Sequence, residues 1–146
     1  MHDGLMKATL LLADSAQAVD GKLYILGGGW SVTGPEPTPM AIALKLEVPW
    51  DETNRKHAWR LELIDSDGRP VQAAGGAEGR PIEIGGEFEV GRPAGVKPGT
   101  PIDLPLAINL SALPLEPDGR YVWKLWIDGR TDEDWQLAFS TRPVPS

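Results

Sequence analysis

The sequence contains no cysteine and only two histidines, His2 and His57. These absences exclude a disulfide framework and a cysteine nucleophile, and they leave a transition-metal site without its preferred ligands. A serine triad needs a base, His57 is the only candidate outside the N-terminal tail, and no Gly-x-Ser-x-Gly sequence is present. We interpret His57 as a solvated residue at a strand end, and we expect no catalytic residue, no metal and no cofactor.

Basic residues and long apolar runs are also scarce. Fourteen Lys and Arg against 21 Asp and Glu give a net charge of −7, and no basic run exceeds Arg55-Lys56. Such a chain repels phosphate groups, so we expect neither a nucleic-acid nor a membrane partner. No stretch approaches the roughly 20 apolar residues of a spanning helix, and the apolar run before Asp14 is too short for a signal peptide. The expected location is the cytoplasm.

Glycine and proline are abundant: the chain has 17 and 14 of them in 146 residues. They separate short segments in which apolar and polar residues alternate with period two, the pattern of half-buried strands. The clearest alternations span 41–48, 57–64, 82–90, 101–110, 120–127 and 135–140. The sequence therefore predicts an all-β fold, an antiparallel β-sandwich of seven to nine strands with immunoglobulin-like or jelly-roll Greek-key topology. We expect one domain, residues 1–146, with at most one short helical turn.

Several connections carry their own predictions. Residues 13–21 are rich in alanine and end on Gly21, which favours one helical turn. Gly85-Gly86 predicts a bulge or kink in strand 82–90. Pro105 has no backbone donor and places its strand at a sheet edge or at a kink. Asp128-Gly129 is interpreted as the start of a connection of about seven residues rather than a complete two-residue turn.

Flexibility is expected in three segments, residues 1–5, 75–79 and 142–146, because they are terminal or rich in glycine. Residues 71–73 are expected to form a short partner strand for 57–64.

The N-terminal third resembles a known family. Ala13-Asp14-Ser15-Ala16 and the segment from Asp20-Gly21-Lys22 to Trp30 are similar to those of an uncharacterised family of small bacterial proteins, common in actinobacteria. The likeness extends through residues 41–50 to Gly119-Arg120-Tyr121, and so over nearly the whole chain. The family is a domain of unknown function. The resemblance therefore implies a shared fold, and it brings no activity and no catalytic residue.

Three consecutive glycines, Gly27 to Gly29, precede Trp30. The residues that follow are typical of a strand rather than of the Gly-Lys-Ser or Gly-Lys-Thr that opens a phosphate-binding helix, so a phosphate loop is excluded. We expect the indole of Trp30 to pack over the bare glycine backbone.

Six tryptophans are the most informative feature of the composition. Trp59, Trp123 and Trp135 fall on the apolar faces of their strands and are expected in the core. Trp126 falls on the opposite face from Trp123 and should point outward. Exposed aromatic side chains mark interfaces and sugar-stacking platforms. The candidate interface or ligand-platform residues are Trp30, Trp50 and Trp126.

These observations favour a non-enzymatic interaction or structural module that self-associates or binds a protein partner. The alternative is a small-ligand or carbohydrate-binding module, in which the three candidate tryptophans stack on sugar rings and Asn109 or Gln136 binds hydroxyl groups. An enzyme would need a cleft with perturbed titratable groups, and no residue pattern nominates one.

Overall fold

The computed structural model describes residues 6–72 and 80–146, which form nine strands and one 3-10 turn. The strands are β1 (Lys7–Val19), β2 (Lys22–Gly28), β3 (Val32–Thr33), β4 (Met40–Val48), β5 (His57–Asp65), β6 (Glu83–Phe88), β7 (Ile102–Leu110), β8 (Arg120–Ile127) and β9 (Gln136–Thr141), and the 3-10 turn is Trp50–Glu52. The predicted all-β sandwich is confirmed. The segments expected to be flexible at 1–5 and 75–79, together with residue 73, lie outside the described residues.

Two sheets pack face to face. The first sheet has the strand order β2-β1-β4-β7 and the second has the order β3-β9-β8-β5-β6. Neighbouring strands are antiparallel except β3 and β9, which are parallel. Without β2 and β3, the sheets match immunoglobulin strands A, B and E facing strands G, F and C, with β6 added beside C. The topology is therefore immunoglobulin-like, and the jelly-roll alternative is wrong.

The core lies between the two sheets and follows the predicted alternation. On β4 the even-numbered residues from Ile42 to Val48 point inward and are fully buried. They meet Leu61 and Leu63 of β5 and Trp123 and Leu125 of β8, which are also fully buried. Burial of aliphatic and aromatic side chains on this scale is the main stabilising term of a sandwich without disulfides.

The helical turn predicted over residues 13–21 is wrong, because β1 continues as a strand to Val19. Asp20 and Gly21 have φ values of 52° and 73°, and Val19 pairs with Lys22. Two consecutive positive φ values define the two-residue turn that matches the twist of a hairpin. The only helical turn among the described residues is the 3-10 turn at Trp50–Glu52.

The β1–β2 hairpin folds over the outer face of the first sheet. β1 pairs with β4 only as far as Ala13, yet both hairpin strands contact β7, which lies beyond β4. Ala16 donates its N–H to Oδ1 of Asn109 (3.2 Å), and Nδ2 of Asn109 donates to the Ala16 carbonyl (2.8 Å). Asn109, which the carbohydrate alternative assigned to sugar hydroxyls, therefore holds the hairpin in place.

Alanines form a second small core under the hairpin: Ala13, Ala16, Ala41 and Ala43 are all buried, with Leu23 and Ile25 packed against them. Small side chains let the hairpin backbone approach the sheet closely. This contact explains why an alanine-rich segment is extended here, since tertiary packing outweighs a weak local helix preference.

Pro105 lies on β7, an edge strand of the first sheet, as its missing donor predicts. The bulge predicted at Gly85-Gly86 is wrong, because β5 and β6 pair without interruption through Arg60↔Gly85 and Trp59↔Gly86. A Cβ atom at Gly85 would lie 2.8 Å from the Trp59 carbonyl oxygen. The glycine permits close backbone approach rather than a bulge.

The indole expected over glycine belongs to Trp59 rather than to Trp30. A Cβ atom at Gly86 would lie 3.1 Å from Nε1 of Trp59, whereas Cβ atoms at Gly27 and Gly28 would meet the side chains of Asp14 and Ile25. The prediction for Trp30 is therefore wrong, although the same packing of an indole on a glycine occurs between Trp59 and Gly86 in the second sheet.

Asp128-Gly129 begins the predicted long connection, which runs to Trp135 before β9 starts, but the dipeptide is by itself a complete two-residue turn. Both residues have positive φ, 51° and 78°, and Ile127 bridges Arg130 on the far side. The predicted C-terminal hairpin of β8 and β9 is confirmed. The expected partner strand at 71–73 is reduced to isolated bridges at Pro70 and Gln72. In the C-terminal tail, Arg142 donates its backbone N–H to Thr33.

Tyr121 fixes the entry of β8. Its hydroxyl oxygen accepts the Glu116 backbone N–H at 2.9 Å, and its ring stacks on Phe139 with centroids 5.6 Å apart. A tyrosine at the start of this strand that bonds back to the preceding connection is the tyrosine corner of immunoglobulin-like folds. It supports the topology independently of the strand order.

Replacing Tyr121 by phenylalanine should lower the free energy of unfolding by about 1–2 kcal/mol, because the Glu116 N–H loses its acceptor. Urea denaturation at low micromolar protein measures this loss. Tyr24→Phe is the matched control, since Tyr24 is 54% exposed and its change should stay within about 0.5 kcal/mol. Equal effects of the two variants would contradict the assigned role of Tyr121.

Candidate functional site

The six tryptophans occupy different environments. Trp123 is fully buried in the core, as predicted, and Trp59 and Trp135 are half-buried against it. Trp30 is also half-buried and meets Phe139 edge to face, with ring centroids 6.3 Å apart. Its Nε1 is buried, and no hydrogen-bond acceptor among the described residues reaches it. Trp30 therefore packs inward, against the expectation of a surface aromatic.

Trp50 begins the 3-10 turn and is covered by Arg92. The guanidinium carbon lies 4.0 Å from the ring centroid. Arg92 also donates from Nη2 to the Trp50 carbonyl (2.8 Å) and from Nε to Oγ1 of Thr53 (2.7 Å). These contacts tie the connection after β6 to the 3-10 turn, so one ring face of Trp50 is already occupied by a cation.

Trp126 points to the outer face of the second sheet, as its parity predicts, and is half-buried there. Its Nε1 donates to Oε1 of Glu62 at 2.9 Å, and Arg60 and Lys124 each lie 5.0 Å from the ring centroid. Arg60 also pairs with Glu62 and Glu83 at 3.5 Å. The indole is thus part of a polar array whose members satisfy one another.

A shallow depression of about 320 Å³ adjoins Trp126, with Glu83 and Gly85 in its wall. Trp30 and Trp50 do not line it. The three candidate tryptophans are therefore not brought together into one platform.

His57 forms a buried cluster that the sequence interpretation missed. The ring is only 4% exposed and stacks on Phe88 at 5.1 Å. Its Nδ1 lies 2.7 Å from Oδ2 of Asp128, and its Nε2 lies 2.8 Å from the Glu52 carbonyl oxygen. The prediction of a solvated residue is wrong. The available signal was parity, since His57 shares the inward face of Trp59 and Leu61.

The partners of His57 show that both ring nitrogens carry protons, because a carboxylate and a carbonyl oxygen can only accept. Burial lowers the pKa of His57, but the Glu52 carbonyl, the Asp128 carboxylate and the Glu52 carboxylate outweigh it and raise the pKa above its ordinary value. Burial likewise raises the pKa of Asp128, but the Ala58 N–H, His57 and Arg130 together lower it below its ordinary value.

This cluster joins three elements: the start of β5, the 3-10 turn and the turn after β8. A histidine that donates from both nitrogens has no lone pair with which to accept a proton. Its two hydrogen bonds therefore serve to hold these elements together. A small cavity of about 120 Å³ lies beside it, lined in part by Glu52, Asp128, Arg130 and Trp135. Within 6–72 and 80–146, no three His, Asp or Glu side chains are placed to hold a metal ion.

The exposed apolar surface is concentrated on the β1–β2 hairpin. Of the large apolar side chains that the described residues expose, Val19, Tyr24 and Leu26 lie there, and Leu26 is 70% exposed. β2 is also the last strand of its sheet, so one side of its backbone has no partner strand within residues 6–72 and 80–146. We refer to Lys22–Gly28, with its open side, as the hairpin edge.

The other sheet edges are protected. β7 carries Pro105, β3 has only two residues, and β6 exposes Glu83 and Glu87. Proline, short length and charge are the devices by which natural sheets prevent edge pairing. The hairpin edge has seven residues and no proline, and its one charged residue is Lys22 at its first position. It is therefore the surface of the described residues best suited to strand pairing.

The fold and these surfaces define an immunoglobulin-like β-sandwich in which β2 is the least protected sheet edge of the described residues. The chain belongs to a family of unknown function, DUF6941, whose model matches residues 8–140. This match confirms the resemblance seen in the sequence. No curated protein matches the chain. Within the part of the chain that the structure describes, no helix is long and apolar enough to cross a membrane.

One solved structure is similar over almost the whole length. It is the sensor domain of the anti-sigma factor RsgI4 in Pseudobacteroides cellulosolvens, with 10% sequence identity, 97% of this chain and 94% of that chain covered, and a TM-score of 0.40.

The His57 cluster predicts a stability that depends on pH. Because the folded pKa of His57 is raised, its contribution is complete below the ordinary histidine pKa and is lost as pH rises through the folded value. Wild-type stability should therefore fall as the pH rises from below the ordinary histidine pKa of 6.5 into the alkaline range. Asp128→Asn should lower it by about 1–3 kcal/mol at pH 6 and flatten the slope. Asparagine tolerates the positive φ of this position.

Urea denaturation across this pH range measures both effects. Asp132→Asn is the control, because Asp132 is exposed and close in sequence and asparagine can still accept the Asp134 N–H. Its slope should equal that of the wild type. A wild-type slope of zero, or one that Asp128→Asn leaves unchanged, would show that His57 is not the charged member of this cluster.

Proposed function

We propose that this chain is a non-catalytic interaction module that self-associates through the hairpin edge. The observation that carries the proposal is the exposure of Tyr24 and Leu26 on a seven-residue edge strand whose one protecting charge, Lys22, lies at its first position. An unpaired row of backbone groups beside exposed apolar side chains is the arrangement by which strands add to a sheet.

The charge distribution supports a second copy as the partner. The chain carries a net charge of −7, but between residues 15 and 35 its only charged side chains are Asp20 and Lys22. Two acidic molecules repel one another least where such a neutral stretch meets its equal. A closed dimer also uses the same patch on both copies, which a single antiparallel strand provides.

The absence of catalysis and the cytoplasmic location are parts of the same proposal. Both nitrogens of His57 are held by fixed acceptors, which supports a structural role. The carbohydrate alternative has less support, because Asn109 is bonded to Ala16 and the ring of Trp126 lies beside two cations.

Sedimentation equilibrium tests the proposal. The wild type should show a monomer–dimer equilibrium at micromolar to high micromolar concentration. Leu26→Lys should raise the dimer dissociation constant at least about tenfold, since it replaces an apolar contact by like charges, one from each copy, that repel each other. Leu26 is largely exposed within one chain, so at concentrations well below the dissociation constant the variant should unfold at the wild-type temperature.

Val144→Lys is the matched control, because Val144 is 64% exposed and lies outside the hairpin. It should leave the dissociation constant unchanged. A wild type that stays monomeric at several hundred micromolar, or a Leu26→Lys variant that associates as tightly as the wild type, would overturn the proposal.

A further inference from the structure

We infer that two copies pair their β2 strands antiparallel about a two-fold axis at Tyr24, joining two four-stranded sheets into one continuous sheet. This inference rests on the proposed self-association and specifies the register of the pairing. It follows from which backbone groups β2 leaves open, where the strand stops being extended, and which side chains then face each other.

The turn at Asp20-Gly21 determines which groups are open. Residues that flank a two-residue hairpin turn exchange both hydrogen bonds, so Val19 and Lys22 are a bonded pair. The alternation then makes Tyr24 and Leu26 bond to β1 and directs the N–H and C=O of Leu23 and Ile25 to the open side. Each of these two residues offers one donor and one acceptor there.

Ala16 gives an independent check of this alternation. It lies opposite Ile25, and its own N–H and C=O bond to the side chain of Asn109 instead of to β2. Ala16 and Ile25 are therefore a pair whose backbone groups point away from each other. The open side of β2 is thus identified from an observed contact as well as from the turn.

The extended part of β2 has a centre. It begins after the turn at Lys22 and ends at Leu26, because Gly27 has a φ of 61°, outside the extended region. Leu23 and Ile25 lie symmetrically about Tyr24. An axis at Tyr24 places Leu23 of each copy opposite Ile25 of the other. In each of these two pairs, both residues then hydrogen-bond through their open N–H and C=O groups. An axis at Leu23 or Ile25 would pair one of them with the turn or with Gly27.

The side chains agree with this register. Tyr24 faces the second copy's Tyr24 in the closer, non-hydrogen-bonded type of pair, and aromatic pairs at such positions stabilise sheets. Lys22 faces the second copy's Leu26, so its aliphatic stem covers the leucine while the ammonium stays in water. No like charges lie opposite each other.

Disulfide trapping tests the register, and the native chain has no cysteine to interfere. In a non-hydrogen-bonded pair the Cα atoms are about 4.5 Å apart, within the range of a disulfide. Tyr24→Cys should therefore cross-link to itself under mild oxidation. Lys22→Cys and Leu26→Cys, the matched controls, should not do so alone but should cross-link when mixed, with one variant carrying a mass tag.

Cross-linking of Leu26→Cys to itself in preference to Tyr24→Cys would overturn the register. A wild type that dimerises while Tyr24→Cys, still dimeric, does not cross-link would also overturn it and would leave self-association intact. A monomeric wild type would overturn both.

If Tyr24→Cys no longer dimerises, amide hydrogen exchange of the wild type by NMR decides. The Leu23 and Ile25 amides should become at least tenfold better protected as concentration rises through the dissociation constant, while those of Tyr24 and Leu26 stay constant. Exchange of Leu23 and Ile25 that does not depend on concentration would overturn the inference.

Discussion

The structure depends on β4, whose first half is buried on both faces. Its even-numbered residues, such as Ile42 and Leu44, fill the space between the sheets, while Ala41 and Ala43 lie under the β1–β2 hairpin. In an antiparallel sheet of a sandwich, each strand ordinarily has one face in the core and one face in water. Here the sequence places alanine at those positions, and the sheet needs a second cover.

That cover comes from β1, and it determines which edge stays open. β1 pairs with β4 through Ala13 and then leaves it, so the backbone of Ala16 would lack partners without Asn109. The carboxamide of Asn109 acts as a short substitute for a strand, donating and accepting at one residue. Asn109 therefore holds the hairpin over the outer face of the sheet, and among the described residues no strand pairs with the other side of β2.

Much of the fold was predictable, because alternation in segments such as 41–48 and 120–127 reports local burial directly. The errors arose where the deciding contact is distant in sequence. Ala16 is extended because of Asn109, and His57 is buried because of Asp128, which lies 71 residues away. The turn at Asp20-Gly21 did have a local signal, because the same Asp-Gly dipeptide forms the turn at Asp128-Gly129. The helical turn was predicted instead because the segment before Gly21 is rich in alanine.

The candidate site shows the same division between local and distant information. Parity places Trp126 on the outer face, but only the structure shows that Arg60 and Glu62 already engage it. The exposure of Tyr24 and Leu26, by contrast, could not be singled out from the sequence. Period-two alternation predicts one buried and one exposed face for every strand alike. These two residues matter because β2 belongs to the hairpin that covers the outer face of β4. That position leaves β2 as an edge strand, which is able to pair with a further strand.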